Sequence, residues 1–221
     1  KLTLLNQESS RGDGPCHLVV DPTGKNVLVA NYGGGSVAVL PVAEDGKLKP
    51  ASSFIQHRGS SVDRNRQEGP HAHSFRVAPA PAGESDQQSD TRFALACDLG
   101  LDKVFVYKLD AAAGTLTAND PPFAMVPPGN GPRHTAFSRD GRFVYVSDEM
   151  GNAVSVFAWD ATRGVLTLLQ TITTLPPNYH GTTKVAEVAV HPTGKFLYAS
   201  NRGYDSIACF TIDQSTGKLT T

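Results

Sequence analysis

The sequence lacks several features that mark large classes of protein. It has no apolar run of about eighteen residues, the length that a membrane-spanning helix needs. Its 20 lysines and arginines are balanced by 21 aspartates and glutamates, which leaves a net charge of −1 and no bias toward polyanions. Neither a membrane nor a nucleic acid is therefore expected as a partner. Apolar residues at helical spacing are missing over any stretch of about ten residues, so we predict no substantial helix.

Cysteine is scarce, and the motifs of several enzyme classes are absent. The three cysteines, Cys16, Cys97 and Cys209, fall in predicted strands at unmatched positions, which favours buried, reduced thiols over a disulfide framework. A Gly-x-Ser-x-Gly elbow is missing, which disfavours a serine hydrolase. The glycine-rich stretch 33–36 lacks both the lysine and the helix of a phosphate-binding loop. No cofactor is predicted.

What the sequence does contain is one pattern repeated four times. The clearest copy, residues 131–156, has an apolar run, an Asp-Gly-Arg turn, a second run rich in Val, Phe and Tyr, and a third run after an asparagine turn. A basic residue at the start of the second run, directly after the turn glycine in three of the four copies, recurs at separations of 67, 50 and 53 residues, at Lys25, Arg92, Arg142 and Lys195. Repeats of this size with several strands each are typical of propeller blades.

Each copy predicts three short strands and then a fourth after another glycine turn. The fourth strands are expected at 46–48, 114–117, 164–168 and 217–219. We therefore predict an all-β fold: a β-propeller of four-stranded antiparallel blades forming a single region over 1–221, with repeats near 14–50, 69–118, 131–169 and 185–221. Residues 1–5 resemble an isolated fourth strand, so we expect a fragment of a larger ring whose open strand edges favour self-association.

Two positions of the repeat change chemistry from copy to copy. A position set by architecture should look alike in every blade, whereas a position used for catalysis should deviate. The first deviating position holds Cys16, His71, Arg133 and Ala186, and the second holds Tyr32, Leu99, Glu149 and Arg202. We predict that the ionisable members cluster near one mouth of the central channel, where propellers bind ligands: His71, Arg133, Glu149 and Arg202.

Neighbouring positions supply further candidates. His73 follows His71 by two residues, so strand alternation places both side chains on one face. His17, His134 and Glu187 share the position beside the first deviating one, and with His73 we expect them to contact substrate, structural hydrogen bonds being the alternative. A polar, basic loop over 56–67 leads into His71 and is expected to border the pocket.

A metal site is an alternative interpretation of two of these residues. His71 and His73 on one strand face, with the Glu149 carboxylate, have the chemistry of a zinc-like site. We favour a site without metal.

Four stretches resemble the lactonase family of seven-bladed β-propellers. They are Asp-Pro-Thr-Gly-Lys through Ala-Asn-Tyr-Gly-Gly-Gly-Ser-Val (21–37), Gly-Pro-His-Ala-His-Ser (69–74), Gly-Asn-Gly-Pro-Arg-His (129–134) and Ser-Asn-Arg-Gly-Tyr-Asp-Ser-Ile (200–207). The resemblance covers essentially the whole chain and implies about four of seven blades. It also implies lactone chemistry, because the family includes enzymes that open 6-phosphogluconolactone in the oxidative pentose phosphate pathway and fungal enzymes that cyclise carboxymuconates.

The resemblance implies the same site. In the muconate-cyclising relatives a histidine, two arginines and a glutamate form the proposed site, and their motifs match His71, Arg133, Glu149 and Arg202. Hydrolysis of a lactone needs a base, for which His71 and Glu149 remain open. Arg133 and Arg202 are expected to clamp a phosphate or stabilise the oxyanion.

Three functions stay open at this point. The first is a hydrolase of the 6-phosphogluconolactonase kind acting on a sugar-phosphate lactone, the second a lactone-forming cycloisomerase, and the third a non-catalytic binding platform. Ionisable residues at the deviating positions favour an enzyme over a platform. A cytoplasmic location is expected from the reduced-looking cysteines and the sugar-phosphate chemistry.

Overall fold

The computed structural model describes residues 1–80 and 91–221 and is built almost entirely from strands. In this part of the chain the only helix is a 3-10 turn at Leu99–Leu101, and no helix is long and apolar enough to cross a bilayer. The strands, numbered along the chain, are β1 (Pro15–Val20), β2 (Asn26–Asn31), β3 (Ser36–Pro41), β4 (Ser53–Gln56), β5 (Ala72–Val77), β6 (Thr91–Asp98), β7 (Lys103–Asp110), β8 (Thr115–Met125), β9 (Pro132–Phe137), β10 (Phe143–Asp148), β11 (Ala153–Asp160), β12 (Val165–Thr173), β13 (Lys184–Val190), β14 (Phe196–Arg202), β15 (Ser206–Ile212) and β16 (Leu219–Thr220).

The strands form four sheets, each an antiparallel meander of four consecutive strands. The sheets are β1 to β4, β5 to β8, β9 to β12 and β13 to β16, which we call the first to fourth blades. The first strand of each blade contacts the first strand of the next, in the series β1, β5, β9 and β13. These inner strands therefore line the channel, and the predicted all-β propeller of four-stranded blades is confirmed.

The outer strand of the first blade is not where the sequence predicts it. Residues 46–48 make only an isolated bridge between Val42 and Leu48, and β4 begins at Ser53. The side-chain amide of Asn6 explains the difference, because it donates to the Leu48 carbonyl (2.8 Å) and accepts from the Leu48 N–H (3.0 Å). Asn6 thus takes the place of a neighbouring strand, and Pro50, which has no N–H, interrupts the ladder. The other outer strands follow their glycine turns as predicted.

Apolar side chains are buried between neighbouring blades. Val37, Val104 and Val154 occupy one repeat position and are fully buried. Burial of a side chain of this kind contributes about 1.5–3 kcal/mol. Ile207, at the same position of the fourth blade, is 69% exposed because no sheet of the described residues covers that face. The interblade layers therefore hold the four sheets together.

The blades are also joined by hydrogen bonds that cross between them. Asn26 of the first blade donates to the Ala111 carbonyl of the second (2.8 Å), and Asn119 of the second blade donates to the Gly164 carbonyl of the third (2.8 Å). Each bond satisfies a turn carbonyl at the outer edge of the next blade. These bonds fix the register of adjacent blades. A site built from residues of different blades requires such a fixed register.

The cysteines only partly match the prediction. All three thiols are free, and Cys97 is buried, but Cys16 and Cys209 are exposed. Cys16 lies at the start of an inner strand, beside the open end of the channel. Cys209 lies on the uncovered face of the fourth blade with Ile207, because alternate residues of β15 share a face. The expectation of three buried thiols is therefore wrong for these two.

Candidate active site

Every inner strand begins with a β-bulge at the same point. The register with the second strand shifts once near the start of β1, β5, β9 and β13. The residues left without a ladder partner are Cys16, His73, Arg133 and the pair Ala186 and Glu187. A bulge re-aims the side chain that it carries and releases it from the pairing pattern. The sequence thus folds so that each blade presents its bulge to the channel, with one unpaired residue in the first three blades and two in the fourth.

This register corrects the alignment of the second blade. Ala72 pairs with Asp98 as Pro132 pairs with Asp148, so the residue equivalent to Arg133 is His73 and not His71. His71 precedes the strand, where its N–H donates to Asp98 Oδ1 (2.8 Å). The Gly-Pro dipeptide that suggested the other alignment lies two residues further from the strand in this blade than in the third.

The segment before β5 is held close to its neighbours by two glycines. A Cβ at Gly35 would collide with the Pro70 carbonyl, and a Cβ at Gly100 would collide with the Gly69 carbonyl. Gly35 also has a φ of 59°, which a glycine adopts at little cost. His71 is therefore pressed between turns of the first and second blades.

Three guanidinium groups converge on the buried carboxylate of Glu149, which is 4% exposed. Arg66 Nη2 lies 2.8 Å from Oε1, while Arg133 Nε and Arg202 Nη2 lie 3.1 and 2.7 Å from Oε2. Burial opposes ionisation of Glu149, but the hydrogen bonds from Arg66 and Arg202 outweigh it and hold its pKa below the usual value. Glu149 is therefore a carboxylate at neutral pH, and the cluster keeps a surplus of positive charge.

Two members of this cluster are absent from the residues selected by sequence. Arg66 also donates to the Tyr32 hydroxyl (3.2 Å), and the Tyr32 ring stacks on His71 with centroids 4.7 Å apart. The same ring meets His73 edge-on at 5.4 Å. The signals were present, because Tyr32 shares the repeat position of Glu149 and Arg66 lies in the basic loop expected to border the pocket.

The two histidines of the second blade have different surroundings. His71 Nδ1 lies 3.1 Å from the Tyr32 carbonyl oxygen and Nε2 lies 3.3 Å from Glu68 Oε1, so both ring nitrogens face acceptors. His73 Nε2 lies 3.9 Å from Glu149 Oε2, and among the described residues its buried Nδ1 has no hydrogen-bond partner. Both ring nitrogens of His71 are therefore occupied by neighbouring acceptors, whereas His73 has a ring nitrogen without a hydrogen-bond partner.

Electrostatics keep His73 neutral. Burial lowers its pKa to about 3, and the nearby positive charge of Arg133 acts in the same direction, against the smaller opposing effect of Glu149. At neutral pH the imidazole is therefore unprotonated. An unprotonated imidazole has a lone pair that can accept a proton from water, and the Glu149 carboxylate 3.9 Å away opposes part of the effect that makes this ring a weak base.

The remaining selected residues lie beside Arg133 along the channel. His134 Nδ1 lies 2.9 Å from Glu187 Oε2, and Arg133 Nη1 lies 3.3 Å from His134 Nε2. These contacts assign the tautomer, with Nδ1–H donating to Glu187 and Nε2 accepting from Arg133. His17 packs edge-on against His134 at 4.9 Å, and its Nδ1 accepts from the Phe75 N–H (3.3 Å). His134, itself held by Glu187, therefore orients the Arg133 side chain.

A metal-binding interpretation has no support in this geometry. Within residues 1–80 and 91–221, no three His, Cys, Asp or Glu side chains are arranged to hold a metal ion. Arginine nitrogens surround both oxygens of Glu149, where a metal ligand would need open access.

A second carboxyl group, that of Asp148, is fully buried next to Glu149. Its Oδ2 accepts hydrogen bonds from Asn130 Nδ2 (2.9 Å) and Ser155 Oγ (2.7 Å). Burial nevertheless raises the pKa of Asp148 to about 7, because the two hydrogen bonds offset only part of the cost of ionising a buried acid. Asparagine stands at the equivalent position of the first and fourth blades, so the fold accommodates an amide there.

Asp148→Asn is expected to stabilise the protein more as the pH rises. The pKa of Asp148 is above its unfolded value, so its contribution to stability is present below about pH 4 and is lost as the pH rises toward 7. The advantage of asparagine should grow over that interval by ~1.4 kcal/mol per pH unit. Thermal unfolding of both proteins at pH 4 and pH 8 measures it. A difference in stability that is the same at both pH values would contradict the buried, raised-pKa carboxyl.

The fold agrees with comparison to known proteins. The chain belongs to the lactonase family of seven-bladed β-propellers, whose model matches residues 1–221. Over 220 residues it is 36% identical to the 6-phosphogluconolactonase of Bacillus subtilis, covering 99% of this chain and 58% of that protein.

Solved structures show the same relationship. A candidate 6-phosphogluconolactonase from Bacteroides fragilis superposes with a TM-score of 0.86 at 37% identity, covering 100% of this chain and 59% of that one. The periplasmic gluconolactonase PpgL of Pseudomonas aeruginosa superposes with a TM-score of 0.83 at 38% identity, covering 96% and 57%. The chain thus spans somewhat less than three fifths of the length of these relatives.

Proposed function

We propose that this protein is a lactonase that hydrolyses a sugar-phosphate lactone to the open-chain acid, with 6-phosphogluconolactone as its substrate in the oxidative pentose phosphate pathway. The observation that carries the proposal is the convergence of three arginines on the buried carboxylate of Glu149 beside the neutral His73. Such a site offers both a base and binding groups for an anionic substrate. The names of the relatives in Bacillus subtilis and Pseudomonas aeruginosa support the same chemistry.

The arginines supply the binding of the anion. A guanidinium has several N–H donors in a planar fork, so an arginine that holds Glu149 with one donor can still bind a phosphate with others. The side chain of Arg202 is 51% exposed, and that of Arg66 is 30% exposed. Arg133, at 16%, lies deeper, and it is the arginine whose charge acts on His73, where an oxyanion would form. We therefore assign Arg133 to the oxyanion and Arg202 to the phosphate.

The base is best assigned to His73. In the proposed reaction the His73 imidazole takes a proton from water as the water oxygen bonds to the lactone carbonyl carbon, and Arg133 stabilises the resulting oxyanion. The bond from that carbon to the ring oxygen then breaks, and the imidazolium returns the proton to the departing oxygen. The carboxylic acid product finally releases one proton to solvent. Glu149 is held ionised by its arginines and serves to arrange them, while His71 supports Tyr32.

The wider setting belongs to the same proposal. Three free thiols and a sugar-phosphate substrate support a cytoplasmic location. The exposed Leu18 on β1 and Ile207 on β15 leave apolar surface on the outermost of the four blades, which supports self-association of a four-bladed fragment through these faces.

The proposal is tested by following proton release from fresh 6-phosphoglucono-δ-lactone, against the spontaneous rate and against unphosphorylated gluconolactone. We expect selective acceleration of the phosphorylated lactone. Equal acceleration of both lactones would exclude the phosphate-specific function. If the folded protein accelerates neither, the lactonase proposal is wrong. Turnover of a carboxymuconate would then identify a cycloisomerase, and tight binding without turnover would identify a platform.

A further inference from the structure

We propose that Arg66 binds the phosphate of the substrate together with Arg202 and is the residue of the two that determines specificity for it, and that the buried Asp102 positions Arg66. This inference rests on the proposed lactonase function and assigns the preference for a phosphorylated lactone to one side chain. Arg66 belongs to none of the four repeats, because it comes from the connection between β4 and β5.

The approach of Arg66 to the site differs from that of the other arginines. Arg133 and Arg202 both bind Oε2 of Glu149, whereas Arg66 binds Oε1 and the Tyr32 hydroxyl. It therefore faces the site from another side, at the rim formed by the connecting loop. A phosphate seated between Arg66 and Arg202 would be bound by cations from two directions, which suits a dianion.

The loop that carries Arg66 is anchored on the carboxylate of Asp102, which is fully buried. Asp102 Oδ2 accepts from Ser61 Oγ (2.5 Å), and Oδ1 accepts from Gln67 Nε2 (2.9 Å), the residue next to Arg66. The loop is closed on itself by hydrogen bonds from the Ser61 N–H to the Gln67 carbonyl (2.9 Å) and from the Arg66 N–H to Asp63 Oδ1 (3.1 Å). These hydrogen bonds fix the conformation of the loop and therefore the position of Arg66.

The same carboxylate also binds the backbone immediately before Arg133. The backbone N–H groups of Gly129 and Gly131 donate to Asp102 Oδ2 (2.7 Å) and Oδ1 (2.8 Å). Gly131 is two residues before Arg133. One buried anion therefore connects the loop of Arg66 to the strand of Arg133, and the spacing between the two guanidinium groups depends on it.

The first test is the Arg66→Gln variant of the full-length protein, with Arg64→Gln as its matched control. Arg64 is exposed on the same loop, so its loss removes the same charge without the same contacts. We expect Arg66→Gln to lower the ratio of kcat/KM for 6-phosphogluconolactone over gluconolactone by about 10- to 100-fold. Arg64→Gln should lower it by less than about fivefold. Equal effects of the two variants, or equal losses on both lactones, would overturn the assignment.

A binding measurement separates this inference from the proposed function. Calorimetric titration with 6-phosphogluconate and with gluconate requires no turnover. Weaker binding of 6-phosphogluconate to Arg66→Gln, by about 10- to 100-fold and with gluconate binding changed much less, would support phosphate recognition even if lactonase activity were absent. Unchanged binding of 6-phosphogluconate would overturn the inference even in an active lactonase.

The role of Asp102 is tested through its partner Ser61, because loss of the buried carboxylate itself could prevent folding. Ser61→Ala removes one donor, and we expect KM for the phosphorylated lactone to rise about 3- to 10-fold with little change in kcat. Ser61→Thr restores the hydroxyl and should restore KM, whereas Ser60→Ala, at an exposed neighbour, should leave KM unchanged. A fall in kcat at constant KM, or no change at all, would contradict the positioning role.

Discussion

His73→Gln should lower kcat for lactone hydrolysis by about 10²- to 10⁴-fold, the contribution of one positioned acid–base group. Glutamine has similar polarity but cannot take the proton from water. The low pKa of His73 also predicts that the unsubstituted protein, saturated with lactone, keeps its kcat as the pH falls through 6.5 and loses it only near pH 3, because the base is lost only when His73 is protonated. Burial is the largest cause of that value, and Arg133, His134 and Glu149 act on the ring in addition. Tyr32 packs against it edge-on. Initial rates across the pH range measure both effects.

His71→Gln is the matched control for that substitution. It makes the same chemical change two residues away, on a ring whose nitrogens already face Tyr32 and Glu68. A smaller loss, on the order of 10-fold, is expected from disturbed packing against Tyr32. If His71→Gln costs as much as His73→Gln, or more, the base belongs at His71 and the assignment made here is wrong.

Arg133→Ala should lower kcat by about 10²- to 10³-fold, the usual effect of removing a donor to a developing oxyanion. Arg133 also holds His134 and one oxygen of Glu149, so the loss combines charge and position. Arg139→Ala is the control, because Arg139 is exposed in the turn that follows β9 at the far end of the strand. Turnover and thermal unfolding are measured together. Unchanged turnover in a folded Arg133→Ala protein would remove this cluster from the reaction.

Much of the fold is predictable from the sequence because it depends on local chemistry repeated in register. Alternating Val, Phe and Tyr, with glycine in the turns, predict three strands of each blade correctly. The outer strand of the first blade is the exception. Its position depends on Asn6, whose amide binds Leu48 across 42 residues of sequence, and no local pattern encodes that contact.

The site is predictable where it follows the repeat and unpredictable where it does not. Arg133, Glu149 and Arg202 deviate at repeat positions, and the structure brings all three together. The alignment of His71 with Arg133 is wrong because the Gly-Pro dipeptide and the bulge are separated by two more residues in the second blade than in the third, so that His73 occupies the equivalent position. Arg66 has no counterpart in other blades with which to compare it, so only its loop, and not the residue, could be selected.

The bulges at the start of the inner strands free one residue from the pairing of the sheet, so its side chain can be selected for chemistry without weakening that pairing. A residue inside a ladder is constrained by its partners on both sides, whereas Cys16, His73 and Arg133 have no cross-strand partner to satisfy. A thiol, an imidazole and a guanidinium therefore occupy the same place in otherwise similar blades. The residue at the bulge can therefore differ between blades while the surrounding strands keep the same structure. The Ala186 position of the fourth blade is, by this logic, the natural place to install a new functional group.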